Sequence, residues 1–145
     1  MSLLVWNCHG LGNLRVGKEL EVLIRAKDPS VVFLVETWAD EARLKEIQRN
    51  IKFDNLFYMD RNPRGGGGLA LYWKNSFDVH VDSFSKYHID SIINKGSDEA
   101  WRFIGFMESQ QHTKELKLGT NFAYSIINMT FLGFVLETLM KSQDT

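Results

Sequence analysis

The chain contains one cysteine, Cys8, so no intrachain disulfide can form. A reducing compartment is the default for such a sequence. Only two prolines occur in 145 residues, and there is neither a Gly-X-Y period nor a sustained heptad. That excludes collagen-like and coiled-coil classes. Charge of one sign is not in excess: 17 Lys and Arg face 18 Asp and Glu, a net charge of −1. Proteins that hold nucleic acid mainly by neutralising phosphates show a basic excess, at least locally. Any nucleic-acid contact here needs a specific site instead. The amino terminus has no basic stretch, and its apolar run is too short for a signal peptide. An intracellular location, nuclear or cytoplasmic, is therefore expected over a secreted one, and the sequon Asn128-Met129-Thr130 reads as chance. No long unbroken apolar run occurs either. Residues 122–140 carry Glu137 as their only charge, but Tyr124, Ser125, Asn128, Thr130 and Gly133 interrupt them. A spanning helix needs roughly 20 mostly apolar residues. This stretch reads as a buried or partner-seeking helix rather than a membrane span.

What is present fits a globular chain: 44% hydrophobic and 12% aromatic residues. The length suits one domain or part of a larger one. Residues 2–6 read as a short buried strand, followed by a glycine-punctuated loop over 7–13. From Leu14 to Lys27 the apolar positions Val16, Leu20, Leu23 and Ile24 recur in steps of three and four, an amphipathic helix. Asp28-Pro29 ends it, because the residue before proline avoids helical geometry. Val31 to Val35 is a continuous apolar run, the pattern of a strand buried on both faces. Asp40 can cap a second helix through about Asn50, with Leu44, Ile47 and Ile51 inward. Strand-like segments then follow closely: Asn55 to Met59, Leu69 to Trp73, an alternating run around Val79, and two more over 87–93 and 100–107. The order β-α-β-α, then a series of strands, predicts an α/β protein whose sheet turns antiparallel. Composition breaks near Met107. Residues 108–118 are polar and featureless, and 120–141 look helical. The expected organisation is a domain over 1–107 and a divergent polar segment with an apolar helix over 108–145.

In open α/β sheets, ligands bind outside the carboxyl ends of strands. Asn7 follows the first strand and Glu36 the second. If the two strands are parallel neighbours, both side chains emerge at one rim. A carboxylate and a carboxamide together suit a hard cation such as Mg²⁺, which takes one or two carboxylates plus waters and substrate phosphate. The competing reading is that each is a turn residue or a helix cap.

The segments Val5-Trp6-Asn7-Cys8-His9-Gly10-Leu11-Gly12 and Pro29-Ser30-Val31-Val32-Phe33-Leu34-Val35-Glu36-Thr37 resemble the opening motifs of the endonuclease/exonuclease/phosphatase superfamily. Gly67-Gly68-Leu69-Ala70-Leu71-Tyr72-Trp73 and Trp101-Arg102-Phe103-Ile104-Gly105-Phe106 extend the likeness. Within the superfamily, the chain resembles the amino-terminal endonuclease domain of plant LINE-type non-LTR retrotransposons. The likeness covers about residues 2–107, the first half or so of a family domain. It implies the N-terminal part of a four-layer α/β sandwich with mixed β-sheets, followed here by a divergent helical tail. It implies a phosphodiester hydrolase using Mg²⁺ or Mn²⁺, with DNA as substrate in the retrotransposon branch. Asn7 would arrange the metal and phosphate site, and Glu36 would be a metal ligand.

The departures are specific. Where the retrotransposon branch carries a tyrosine that reaches the scissile phosphate, Met107 stands, and a thioether cannot donate that hydrogen bond. No later Asp-x-Asn motif occurs, and His112 lacks the acidic neighbour of the family's terminal Ser-Asp-His-like motif. The resemblance therefore implies a truncated, catalytically defective copy that holds its metal weakly, by frameshift, mis-splicing or truncation. It also implies that much of the second sheet is missing, leaving the first with an exposed apolar face. Phe122, Ile126, Phe131, Phe134 and Leu139 are candidates to cover that face, or to drive self-association through the apolar tail.

Other residues receive plainer readings. Gly65 to Gly68 could cradle a phosphate through backbone amides, but a mobile hairpin loop is the preferred reading. Arg61 and Arg64 flank it as candidate DNA-backbone contacts, against a default of solvated charge. His9 is placed near the site rim, His80 and His88 at the surface or an edge. Trp6, Trp73 and Trp101 read as core, and Trp38 as partly exposed beside the site. Cys8 reads as a small buried hydrophobe. The function classes left standing are a metal-dependent DNA endonuclease domain, a non-catalytic remnant or association module, a phosphatase-like member of the same superfamily and, last, a membrane-attached fragment.

Overall fold

The computed structural model describes residues 2–107, together with the backbone of Ala123–Asn128 and Val135–Leu139. The elements run β1 (Ser2–Asn7), α1 (Leu14–Lys27), β2 (Val31–Val35), α2 (Glu41–Ile51), β3 (Asn55–Met59), β4 (Leu69–Trp73), β5 (Val79–Phe84), β6 (His88–Ile93), β7 (Trp101–Phe106), β8 (Ala123–Asn128) and β9 (Val135–Leu139).

Local chemistry explains the first half. The Asn13 side chain accepts the Arg15 N–H and starts α1, while Arg25 and Lys27 in the last turn complement the helix dipole. Asp28 closes the helix in a left-handed conformation, φ 45°, with its N–H on the Ile24 carbonyl. Asp40 caps α2 by accepting the Arg43 N–H at 2.9 Å. Leu44, Ile47 and Ile51 form its buried face, as their spacing predicts. Arg43 also reaches back: its Nε donates to the Leu11 carbonyl at 2.7 Å and ties α2 to the loop after β1.

The strands form two sheets, ordered β3-β4-β2-β1-β9 and β5-β6-β7-β8. In the first, β1 and β2 are parallel and α1 makes the crossover between them. The period of two sorts its side chains between two cores. Leu4, Trp6, Val32, Leu34, Ala70 and Tyr72 face the helices. Leu3, Val5, Val31, Phe33, Val35, Leu69 and Leu71 face the second sheet, whose contribution is Ile89, Ile93, Trp101, Phe103 and Met107. Each fully buried side chain of this size contributes about 1.5–3 kcal/mol. The sheets approach closely where Gly105 faces Phe33, and Phe33 meets Phe103 edge-on at 5.3 Å. On the other face of the second sheet, the Arg102 guanidinium bridges Asp90 and Asp82.

Two expectations change. The apolar face of the first sheet is not left bare, because β6 and β7 pack on it. The tail is extended, not helical, wherever it is described: β8 pairs parallel with β7, and β9 pairs antiparallel with β1. The remainder of residues 108–145, including His112, Phe122, Phe131 and Phe134, lies outside the described residues, as do the side chains of Ile126 and Leu139. Among the described residues the layers are helices, sheet and sheet, and no helix is long and apolar enough to cross a membrane.

Candidate functional site

The parallel register of β1 and β2 pairs Asn7 with Val35, so Asn7 and Glu36 leave their strands at the same rim. The two exit loops are laced together. The Cys8 N–H donates to the Val35 carbonyl at 2.9 Å, Gly10 to Glu36 at 2.9 Å and Leu11 to Thr37 at 2.8 Å. Asn7 is buried, and its Oδ1 accepts the His9 N–H at 3.3 Å.

Glu36 is held from two sides. Its Oε2 accepts the indole N–H of Trp38 at 2.6 Å and the backbone N–H of Gly67 at 2.8 Å. Among the described residues Oε1 accepts no hydrogen bond. Gly67 arrives because β4 runs antiparallel to β2, with Leu69 opposite Val35. The end of the glycine run therefore lies against the residues after β2. There the Thr37 N–H donates to the Gly68 carbonyl at 3.3 Å, and the Trp38 N–H to the Gly67 carbonyl at 3.0 Å. Gly67 and Gly68 take φ of 75° and 95°. A side chain at Gly68 would also collide with Thr37 Oγ1. That hydroxyl is buried and has no partner among the described residues.

The rim is strained. His9, Glu36 and Trp38 have φ of 47°, 53° and 48°. A left-handed backbone costs a non-glycine residue on the order of 1–2 kcal/mol, and such outliers gather at functional sites. The Trp38 ring lies over Gly10, where a Cβ would stand 2.5 Å from its Cε3, and Trp38 is 41% exposed. His9 meets that ring edge-on at 6.4 Å. Cys8 lies behind the rim, buried; burial first, and the Glu36 carboxylate second, push its thiol well up from the ordinary value. It stays protonated and acts as a hydrophobe, as read from the sequence.

The β1–β2 register thus places Asn7 and Glu36 at one rim of the first sheet. No group of three or more His, Cys, Asp or Glu side chains gathers among the described residues. The oxygen donors at hand are one carboxylate and one carboxamide, a set that fits a hard cation keeping several waters. Arg61 and Arg64 sit exposed on the β3–β4 loop, which closes on itself through Asn62 N–H to Gly66 O at 2.8 Å. Gly67, within the glycine run, holds the carboxylate, a role the hairpin-loop reading does not include. The sequence places Trp38 beside the site without a bond; its signal there is an N–H donor two residues beyond a strand-end carboxylate.

Residues 4–108 match the model of the Endonuclease/Exonuclease/phosphatase family. No curated protein matches the chain. Solved structures share the fold at low identity. A humanized form of D. rerio TDP2 aligns with TM-score 0.54 and 15% identity over 77% of this chain and 52% of its own. The endonuclease domain of TRAS1, a telomere-specific non-LTR retrotransposon, gives 0.54 and 9% over 77% and 48%. The 3' phosphatase NExo from Neisseria, bound to product DNA hairpin, gives 0.53 and 18% over 73% and 40%. The chain spans about half the length of the solved structures it matches. By the family model, which covers most of its length, the chain belongs to the Endonuclease/Exonuclease/phosphatase family.

Proposed function

We propose that this chain is part of a divalent-metal-dependent phosphodiesterase, a DNA endonuclease domain of the retrotransposon type. The observation that carries the reading is the β1–β2 register, with Asn7 opposite Val35 and Glu36 next along the chain. Glu36 and Asn7 are the residues that would hold Mg²⁺ or Mn²⁺. When bound, such a cation polarises a phosphoryl oxygen and stabilises charge developing on the phosphate. The chain's own part is to fix the carboxylate against the Gly67 and Trp38 donors and to keep the thiol of Cys8 neutral behind it. Arg61 and Arg64, exposed on the neighbouring loop, are the residues to meet the DNA backbone.

Met107 stands where the retrotransposon branch carries a tyrosine that reaches the phosphate. That substitution favours a second reading, a non-catalytic remnant acting by association. An electrostatic donor contributes about 10²–10³-fold, so turnover without that tyrosine is expected to be low. Nicking of supercoiled plasmid with Mg²⁺, run beside Glu36→Ala, tests the proposal. Slow nicking that disappears in Glu36→Ala supports the endonuclease. No nicking at high protein concentration favours the remnant, and phosphate release from a small phosphomonoester favours a phosphatase-like member.

A further inference from the structure

We infer that Trp38 is a positioning residue: its indole N–H and the Gly67 amide form a clamp that fixes the Glu36 carboxylate and presents the opposite oxygen to a divalent cation. The inference rests on the cation-site reading above. Three independent features support it. Both donors converge on one oxygen, Oε2, at 2.6 and 2.8 Å, so the carboxylate cannot rotate without breaking two bonds. The geometry is maintained at a conformational cost, since Glu36 and Trp38 are both left-handed, φ 53° and 48°. Gly10 leaves the space in which the indole lies, because a Cβ there would stand 2.5 Å from Trp38 Cε3.

The clamp also joins two loops. Gly67 donates to the Glu36 side chain and accepts the Trp38 N–H at 3.0 Å. A carboxylate held this way loses little freedom when it takes a cation, and its orientation is set before binding. Outer-sphere hydrogen bonds of this kind change metal affinity by about 10–100-fold when removed. The Trp38 ring packs only in part, on Gly10 and His9, and the Glu36 carboxylate gives its indole N–H a partner.

The test uses the 145-residue chain and two readouts that need no turnover. Nitrogen-15 NMR resolves the indole N–H groups of the four tryptophans. The Trp38 resonance is expected downfield, to move upfield in Glu36→Gln, and to broaden first when Mn²⁺ is added. Calorimetric titration with Mn²⁺ is expected to show Trp38→Phe, which keeps the ring and deletes the donor, binding about tenfold or more weakly than wild type. The NMR comparison leaves Trp38 intact, so it decides the matter even if Trp38→Phe folds poorly. An indole resonance indifferent to Glu36→Gln overturns the clamp. A normal resonance shift with unchanged Mn²⁺ affinity in Trp38→Phe overturns the positioning role alone. Wild-type protein that takes up no Mn²⁺ overturns the cation site and this role together, with the resonance shift still separating that failure from loss of the clamp.

Discussion

Gly105→Ala probes the contact on which the two-sheet arrangement depends. An added Cβ would stand 2.6 Å from Phe33 Cε1 and Cζ and 2.8 Å from Phe103 Cζ. Carbon atoms in contact sit about 3.5–4.0 Å apart, so three ring atoms would each have to retreat by roughly 1 Å. Neither ring can escape to solvent, because Phe33 and Phe103 are both fully buried. Their edge-to-face pairing, at 5.3 Å and 72°, would be lost or distorted. Overpacking costs typically 1–3 kcal/mol, and the aromatic geometry adds about 0.5–1.5 kcal/mol. The expected destabilisation is about 2–3 kcal/mol, which lowers Tm by roughly 5–15 °C in a domain of this size. Urea unfolding followed by circular dichroism measures it. Phe33→Leu should relieve part of the clash, so the double variant should be more stable than the sum of the single effects by about 1 kcal/mol. A Gly105→Ala midpoint within about 0.5 kcal/mol of wild type, or strict additivity, would refute the close approach of the sheets.

Two further outcomes are expected. Asp40→Ala removes the acceptor that caps α2 at 2.9 Å and should cost about 1 kcal/mol by denaturant melting; an unchanged midpoint refutes the cap. Cys8 binds its proton more tightly folded than unfolded, so its contribution is complete below about pH 9 and is lost as pH rises further. Stability should therefore fall above about pH 9 with a slope of up to about 1.4 kcal/mol per pH unit. Cys8→Ala should flatten the onset of that fall, and a pH profile identical to wild type argues against the buried, protonated thiol.

The clamp around Glu36 shows where one-dimensional reading stops. The position of Glu36 after a buried strand is visible in the pattern Val31 to Val35, and so is its place at the same rim as Asn7 once the strands are taken as parallel. Its hydrogen-bond partners are not. Gly67 lies 31 residues away and meets Glu36 only because β4 pairs with β2 in one register. Arg43 similarly crosses 32 residues to the Leu11 carbonyl. The tail illustrates the opposite failure: an apolar run has no period that separates a buried strand from a helix. Its described segments are strands because ladders on β1 and β7 receive them.

What the sequence determined by itself is local: the span of α1 from its three-four periodicity, the start of α2 from Asp40, the strands around it from runs and alternation, and two oxygen-bearing residues at strand ends. These depend on interactions within a few residues, so order along the chain suffices to specify them. Tertiary structure alone decided which strands became neighbours, which Glu36 oxygen is held by Trp38 and Gly67, and that the inner face of the first sheet is covered. Those outcomes depend on hydrogen bonds and packing between segments tens of residues apart, whose partners are chosen only when both sheets assemble.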